Sequence, residues 1–168
     1  MRFILFRHAH KGVLPLEDPE LSPPGFEQAA LLLNLINKNT LTKPTHLWAS
    51  PKRRTSQTLY PTSKNLNLKI EIKTELDQQN QHVENNSDFR SRVQHFLQSI
   101  QSLQTTNDII FACTHYDWIE EAMALINCDK DLNSFEFSSW SPAQYIEFEI
   151  NDNLWTLIKK GLVSTNTQ

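Results

Sequence analysis

Three short apolar runs, each ending in a cation or an imidazole, constrain this chain more than any other feature of its sequence. Phe3 to Phe6 stops at Arg7-His8-Ala9-His10. His46-Leu47-Trp48-Ala49 stops at Ser50-Pro51-Lys52-Arg53-Arg54. Ile109 to Cys113 stops at Thr114-His115-Tyr116. Short runs without polar interruption are the pattern of strands buried on both faces. Helix signals separate them. Ser22 can cap a helix whose first turn takes Pro23 and Pro24, with apolar residues recurring through Phe26, Ala29, Ala30, Leu33 and Ile36. Ser50-Pro51 repeats the cap-plus-proline signal ahead of Arg54, Gln57 and Thr58.

The remainder continues the alternation. Leu68 to Ile72 alternates apolar and charged residues, as a strand near a sheet edge would. Asp77 to Ser87 is polar and is expected to be a loop. Phe89, Val93, Phe96, Leu97, Ile100 and Leu103 fall at helical spacing, which predicts an amphipathic helix over 88–104. A further helix is expected from about Tyr116 to Ile126. Tyr145 to Ile150 and Leu154 to Ile158, around Asn151-Asp152-Asn153, read as a β-hairpin. The expected fold class is therefore α/β: a three-layer α/β/α sandwich with a mostly parallel central sheet and a C-terminal β-hairpin, in one domain spanning 1–168. Residues 128–143 are expected to be a loop, with no role assigned.

In such sheets ligands collect outside the carboxyl ends of the strands. All three polar clusters lie at those ends. Taken alone, a histidine after a strand is more often a hydrogen-bonded structural residue, and a Lys-Arg-Arg cluster is usually a solvated helix face. Three such groups converging on one rim are harder to dismiss. Charge distribution points the same way: net charge is −3, yet residues 1–60 carry 8 Lys and Arg against 4 Asp and Glu. A basic portion in an acidic chain suits a local anionic ligand, whereas the overall balance gives no field for nucleic acid or membrane. Cys113 and Cys128 form neither a disulfide framework nor a zinc site, and Cys113 reads as a core residue. The apolar start is too short for a signal peptide or a membrane span, so the cytoplasm is the expected location.

Arg7-His8-Ala9 resembles the Arg-His-Gly signature of the histidine phosphatase superfamily. Leu21-Ser22-Pro23-Pro24-Gly25-Phe26-Glu27-Gln28-Ala29 is similar to its helix start, Ser50-Pro51-x-x-Arg54-x-x-Gln57-Thr58 to its Ser-Pro-x-x-Arg-x-x-Gln-Thr element, and Thr114-His115 to its second histidine. The four pieces occur in family order over roughly residues 1–127, and in size and motifs the chain most resembles the compact bacterial phosphohistidine phosphatases. The resemblance implies a phosphoglycerate mutase-like fold and a phosphatase using His8 as nucleophile, with Arg7, Arg54 and His115 holding the phosphoryl group. No metal and no organic cofactor are implied.

The chemistry is consistent with those residues. Phosphoryl transfer needs an in-line nucleophile and neutralisation of the phosphoryl oxygens. A neutral imidazole can attack and form a phosphohistidine that water later hydrolyses. Arg7 and Arg54 would disfavour protonation of His8, and an arginine fork bonds two phosphate oxygens at once. His115, at a helix start, could donate to a third oxygen. Lys11, His10 and Tyr116 are candidate substrate-binding residues, although Lys11 and His10 stand equally well as solvated cations. Trp118, Trp140 and Trp155 are expected in packing, with Trp118 and Tyr116 near enough to His115 to touch a substrate.

The chain departs from the family pattern where an acid is usual. The aligned place is Gln78; Asp77, one position away, and Glu84 are candidate general acids, or else solvated loop carboxylates. A chain without a strong acid suits good leaving groups: phosphoramidates such as protein phosphohistidine, acyl phosphates or other activated phosphates. The expected partners are a phosphorylated small molecule or a phosphoprotein, with no nucleic acid and no membrane. Oligomeric state is not legible. Two other readings compete. A non-catalytic phosphate- or phosphoprotein-binding module could retain the same pocket. A metal-dependent hydrolase could use His8-x-His10, although such sites usually need acidic ligands at other strand ends on a barrel of about 250 residues.

Overall fold

A computed structural model describes residues 1–103, 105, 107–151 and 154–164. The strands are β1 (Arg2–Arg7), β2 (His46–Ala49), β3 (Ile70–Ile72), β4 (Ile109–Thr114), β5 (Gln144–Asn151) and β6 (Leu154–Leu162). The α-helices are α1 (Pro23–Asn37), α2 (Arg53–Leu66), α3 (Asn86–Gln101) and α4 (Tyr116–Leu125). The six strands form one sheet in the order β3-β2-β4-β1-β5-β6. β1 to β4 run parallel, and β5 and β6 close the sheet as an antiparallel hairpin. This is the expected mostly parallel α/β/α arrangement. Residues 152–153 of the expected Asn151-Asp152-Asn153 turn lie outside the described residues.

Strand pleating divides the core in two. Phe3 and Leu5 of β1, with Ile110 and Ala112 of β4, face a cluster built from Phe89, Val93 and Phe96 of α3 and Trp118 of α4. Ile4 and Phe6, with Phe111 and Cys113, face Ala29, Leu32 and Ile36 of α1 and Leu59 of α2. Because side chains alternate across a strand, a continuous apolar run is what a sheet covered on both faces requires. Each large side chain buried this way contributes roughly 1.5–3 kcal/mol. β3, with its alternating sequence, is indeed an edge strand. Among the described residues no helix is long and apolar enough to cross a membrane.

Helix boundaries follow their caps. Ser22 caps α1, accepting from the Gly25 N–H, with proline in the first turn as expected. Asn85 caps α3 through the Asp88 N–H, so that helix starts at Asn86, earlier than its apolar spacing indicates, and ends at Gln101. α2 departs from expectation. Its N-cap is Lys52, without a side-chain cap bond, not Ser50. The Ser50 hydroxyl accepts from the Lys52 N–H at 3.2 Å and lies 3.1 Å from Thr55 Oγ1, and it also meets His115 Nε2 at 2.8 Å, a partner distant in sequence.

Candidate active site

The sheet brings the three strand ends together. β1 and β4 are adjacent, with Arg7 in register with Thr114, and β2 flanks β4 with Ala49 opposite Cys113. The chain leaving β1 is then fixed from several sides. The His8 N–H donates to the Thr114 carbonyl at 3.0 Å, and the His8 carbonyl accepts from Ala143 at 3.1 Å. Thr58 Oγ1 accepts from the Ala9 N–H at 2.9 Å while donating to the Arg54 carbonyl at 2.8 Å. Gln28 Oε1 takes the His10 N–H and Gln57 Oε1 takes the Leu21 N–H. Gly25 lets α1 approach this segment: a Cβ there would stand 2.0 Å from the His10 carbonyl oxygen. Thr58 and Gln28 of the two helix-start motifs thus brace Ala9 and His10, and Gln57 braces Leu21.

His8 is buried, and its Nδ1 lies 2.8 Å from the Ala9 carbonyl oxygen. A carbonyl can only accept, so Nδ1 carries the proton and Nε2 keeps its lone pair. Burial pushes the imidazole down to about 3; Arg54, Arg7 and Lys11 push it the same way, against the bond to Ala9. Desolvation outweighs the two arginines here, a contribution that sequence spacing does not register.

Arg54 is almost wholly buried. Its NH2 donates to Gln78 Oε1 at 2.6 Å and to His115 Nδ1 at 3.1 Å, and its NH1 faces Asp18 Oδ1 at 3.5 Å. Arg7 lies over the Tyr116 ring at 5.3 Å and donates through NH1 to the Trp140 carbonyl. The Nε of Arg7 and the Nε of Arg54 are both buried and, among the described residues, have no hydrogen-bond partner. Buried N–H groups left this way are uncommon in folded proteins and are understood when a ligand supplies the acceptor.

His115 is edge-on to His8 with ring centroids 5.4 Å apart. Since an arginine only donates, His115 Nδ1 is an acceptor; Nε2 carries the proton, 2.8 Å from Ser50 Oγ and 3.5 Å from Asp77 Oδ1. Burial lowers this imidazole to about 2, followed by the charge of Arg54. Both histidines are therefore neutral, with opposite ring nitrogens protonated.

The remaining candidates divide. Asp77 adjoins His115, and burial raises its carboxyl. Glu84 is clamped by Arg92, which holds its carboxyl below the usual range. Lys11 is exposed, although its charge acts on both His8 and His115. His10 is exposed and bonds Ser22 Oγ through Nδ1 at 2.7 Å. Tyr116 is at the rim, its hydroxyl 3.4 Å from the Ser138 carbonyl. Trp118 does not reach the site: it is fully buried, its indole N–H donating to the Glu75 carbonyl. Trp140 and Trp155 are buried as expected. Sequence reasoning missed Asp18, Ser50 as a partner of His115, and the Trp140 carbonyl, which come from loops without periodic signals. Residues 128–143 supply that last contact. Among the described residues no group of three or more His, Cys, Asp or Glu is arranged to hold a metal ion.

Comparison with known proteins places the chain near phosphatases in sequence pattern and fold. A family model described as histidine phosphatase superfamily (branch 1) matches residues 4–81. No curated protein sequence matches the chain. Among solved structures, the protein histidine phosphatase SixA complexed with tungstate superposes with a TM-score of 0.74 at 15% identity, covering 97% of each chain. A phosphoserine phosphatase from Entamoeba histolytica gives 0.71 at 12% identity, covering 95% of each. A mycobacterial glucosyl-3-phosphoglycerate phosphatase gives 0.70 at 15% identity, covering 96% of this chain and 98% of that one. At these identities the structural likeness concerns the fold.

Proposed function

We propose, from the match of residues 4–81 to the histidine phosphatase superfamily model and from the site geometry, that the chain is a member of that superfamily and a metal-independent phosphatase working through a phosphohistidine on His8. One observation carries this reading. The unprotonated Nε2 of a buried histidine is flanked by two arginines, each retaining a buried Nε–H without an acceptor among the described residues. An incoming phosphoryl group supplies acceptors for both.

In the first step Nε2 of His8 attacks phosphorus, the N–P bond forms, and the leaving group departs with the electron pair of its bond. Arg7 and Arg54 neutralise the phosphoryl oxygens, an electrostatic contribution worth about 10²–10³ in rate for a single well-placed donor. His115 has its Nδ1 toward Arg54. For that atom to donate to a phosphoryl oxygen the ring must take a second proton, which a dianion placed beside it favours. In the second step water attacks phosphorus, the N–P bond breaks, and the lone pair returns to Nε2.

Of the two candidate acids, Asp77 is the better placed. Burial raises its carboxyl toward holding a proton, whereas Arg92 keeps Glu84 ionised. Gln78, hydrogen-bonded to Arg54, has no proton of suitable acidity to give. A site with so little acid assistance favours leaving groups that depart readily, among them phosphoramidates such as protein phosphohistidine.

The test is turnover of p-nitrophenyl phosphate in EDTA by the purified protein beside His8→Ala, with a search for acid-labile phosphate on the protein. Metal-independent turnover that disappears in the variant, with the label on His8, is the expected result. Phosphate binding without turnover or label would sink the enzymatic reading and leave a phosphate-binding module.

A further inference from the structure

Next to the phosphoryl site lies a cleft of 350 Å³ between Lys52 and the segment 77–82. It shares a wall with the site: Asp77 Oδ1 is 3.5 Å from His115 Nε2, and Gln78 Oε1 is 2.6 Å from Arg54 NH2. Every side chain lining it is polar. Its wall is also held firmly. Arg92 NH1 donates to the carbonyls of Glu75 at 2.8 Å and Asp77 at 2.9 Å, and Asp117 Oδ2 accepts the Gln79 N–H at 2.7 Å. The Gln79 amide is tied to Asn86, and Asn80 Oδ1 accepts from the His82 backbone.

Among the described residues, the donors left without a hydrogen bond in this lining are the Lys52 ammonium, the Gln78 Nε2 and Asn80 Nδ2 amides and the Gln81 carboxamide, beside the His82 imidazole; the acceptors left are Gln79 Oε1 and Asp77 Oδ2. Lys52 is half-buried, and its charge acts on both Asp77 and His115, which puts it within electrostatic range of the phosphoryl site. An apolar leaving group would strip water from these groups and return nothing. One with an anionic oxygen would satisfy the ammonium and the amide donors together.

We propose that this cleft is the leaving-group subsite and selects a small polar leaving group bearing a carboxylate or similar anion, with Lys52 as the specificity-determining cation. The inference rests on the phosphatase reading for the term leaving group, while the cleft itself can be tested by binding alone. The probes are phenylphosphonate and 4-carboxyphenylphosphonate, which cannot be hydrolysed, titrated calorimetrically at pH 8 into the wild-type chain and Lys52→Met. The wild-type chain should bind the carboxylated ligand about tenfold tighter, the range of a charge-assisted hydrogen bond. In Lys52→Met the ratio of the two affinities should fall to about one. Because each ratio is taken within one protein, a loss of folded material does not imitate the effect. A wild-type ratio of one or less, an unchanged ratio in the variant, or no binding of either ligand would overturn the proposal. Retention of the preference in a protein that forms no phosphohistidine would keep the subsite and remove the phosphatase reading instead.

Discussion

Lowering the pH from 7 to 5 should destabilise this protein through His8 and His115 by about 4 kcal/mol. Burial holds the two imidazoles at about 3 and about 2 in the folded chain, against about 6.5 for an unfolded histidine. Both folded values lie below the unfolded one. The unfolded state therefore binds the extra protons, and stability falls as pH drops from about 7 toward about 3. At pH 5 an unfolded histidine is almost fully protonated while the buried ones stay neutral. Relative to pH 7 that costs about 2 kcal/mol for each, from 1.36 kcal/mol per pH unit. The figure requires only that both folded values lie well below 5. Urea melts followed by tryptophan fluorescence, in phosphate-free buffer at the two pH values, measure it. His8→Gln/His115→Gln removes both groups and should lose about 4 kcal/mol less across the same interval. Equal losses in wild type and double variant would refute the premise that these histidines are buried neutral.

Arg54→Met should lower kcat/KM for p-nitrophenyl phosphate by about 10²–10³ in steady-state kinetics, since it removes both the charge and an unpaired Nε–H. Gly25→Ala forces a Cβ to 2.0 Å from the His10 carbonyl, and thermal melting should show a loss of about 1–3 kcal/mol. Thr58→Val leaves the Ala9 N–H without its acceptor, a loss of about 1–3 kcal/mol in urea unfolding that Thr58→Ser should restore. Asp77→Asn should slow phosphate esters of poor leaving groups more than p-nitrophenyl phosphate, read from the slope of log kcat/KM against leaving-group pKa.

Much of the fold was legible because its signals are local. The uninterrupted run Phe3 to Phe6 requires partners on both sides of the strand, and both core clusters meet there. Ser22 with its two prolines marked the start of α1 correctly. The same signal failed at Ser50, which lies two residues before the N-cap Lys52; its hydroxyl accepts from the Lys52 N–H and also meets an imidazole 65 residues away, a contact no local pattern announces. Trp118 failed for a related reason: proximity to His115 in sequence does not say which way a helical side chain turns, and this one faces the core beside Phe96.

The sequence by itself determined the order of strands and helices, the two-sided burial of the central strands, and the presence of Arg7, His8, Arg54 and His115 at strand ends or just beyond them. Periodicity and caps act over a few residues, and those features need nothing more. Tertiary structure alone decided the protonation pattern. Nε2 of His8 is bare because the Ala9 carbonyl lies against Nδ1, and Nδ1 of His115 is an acceptor because Arg54 points at it. It alone also placed Asp18, Gln78 and the Trp140 carbonyl on the two arginines. Hydrogen-bond direction and desolvation depend on which groups meet across the sheet, and a linear pattern does not encode that meeting.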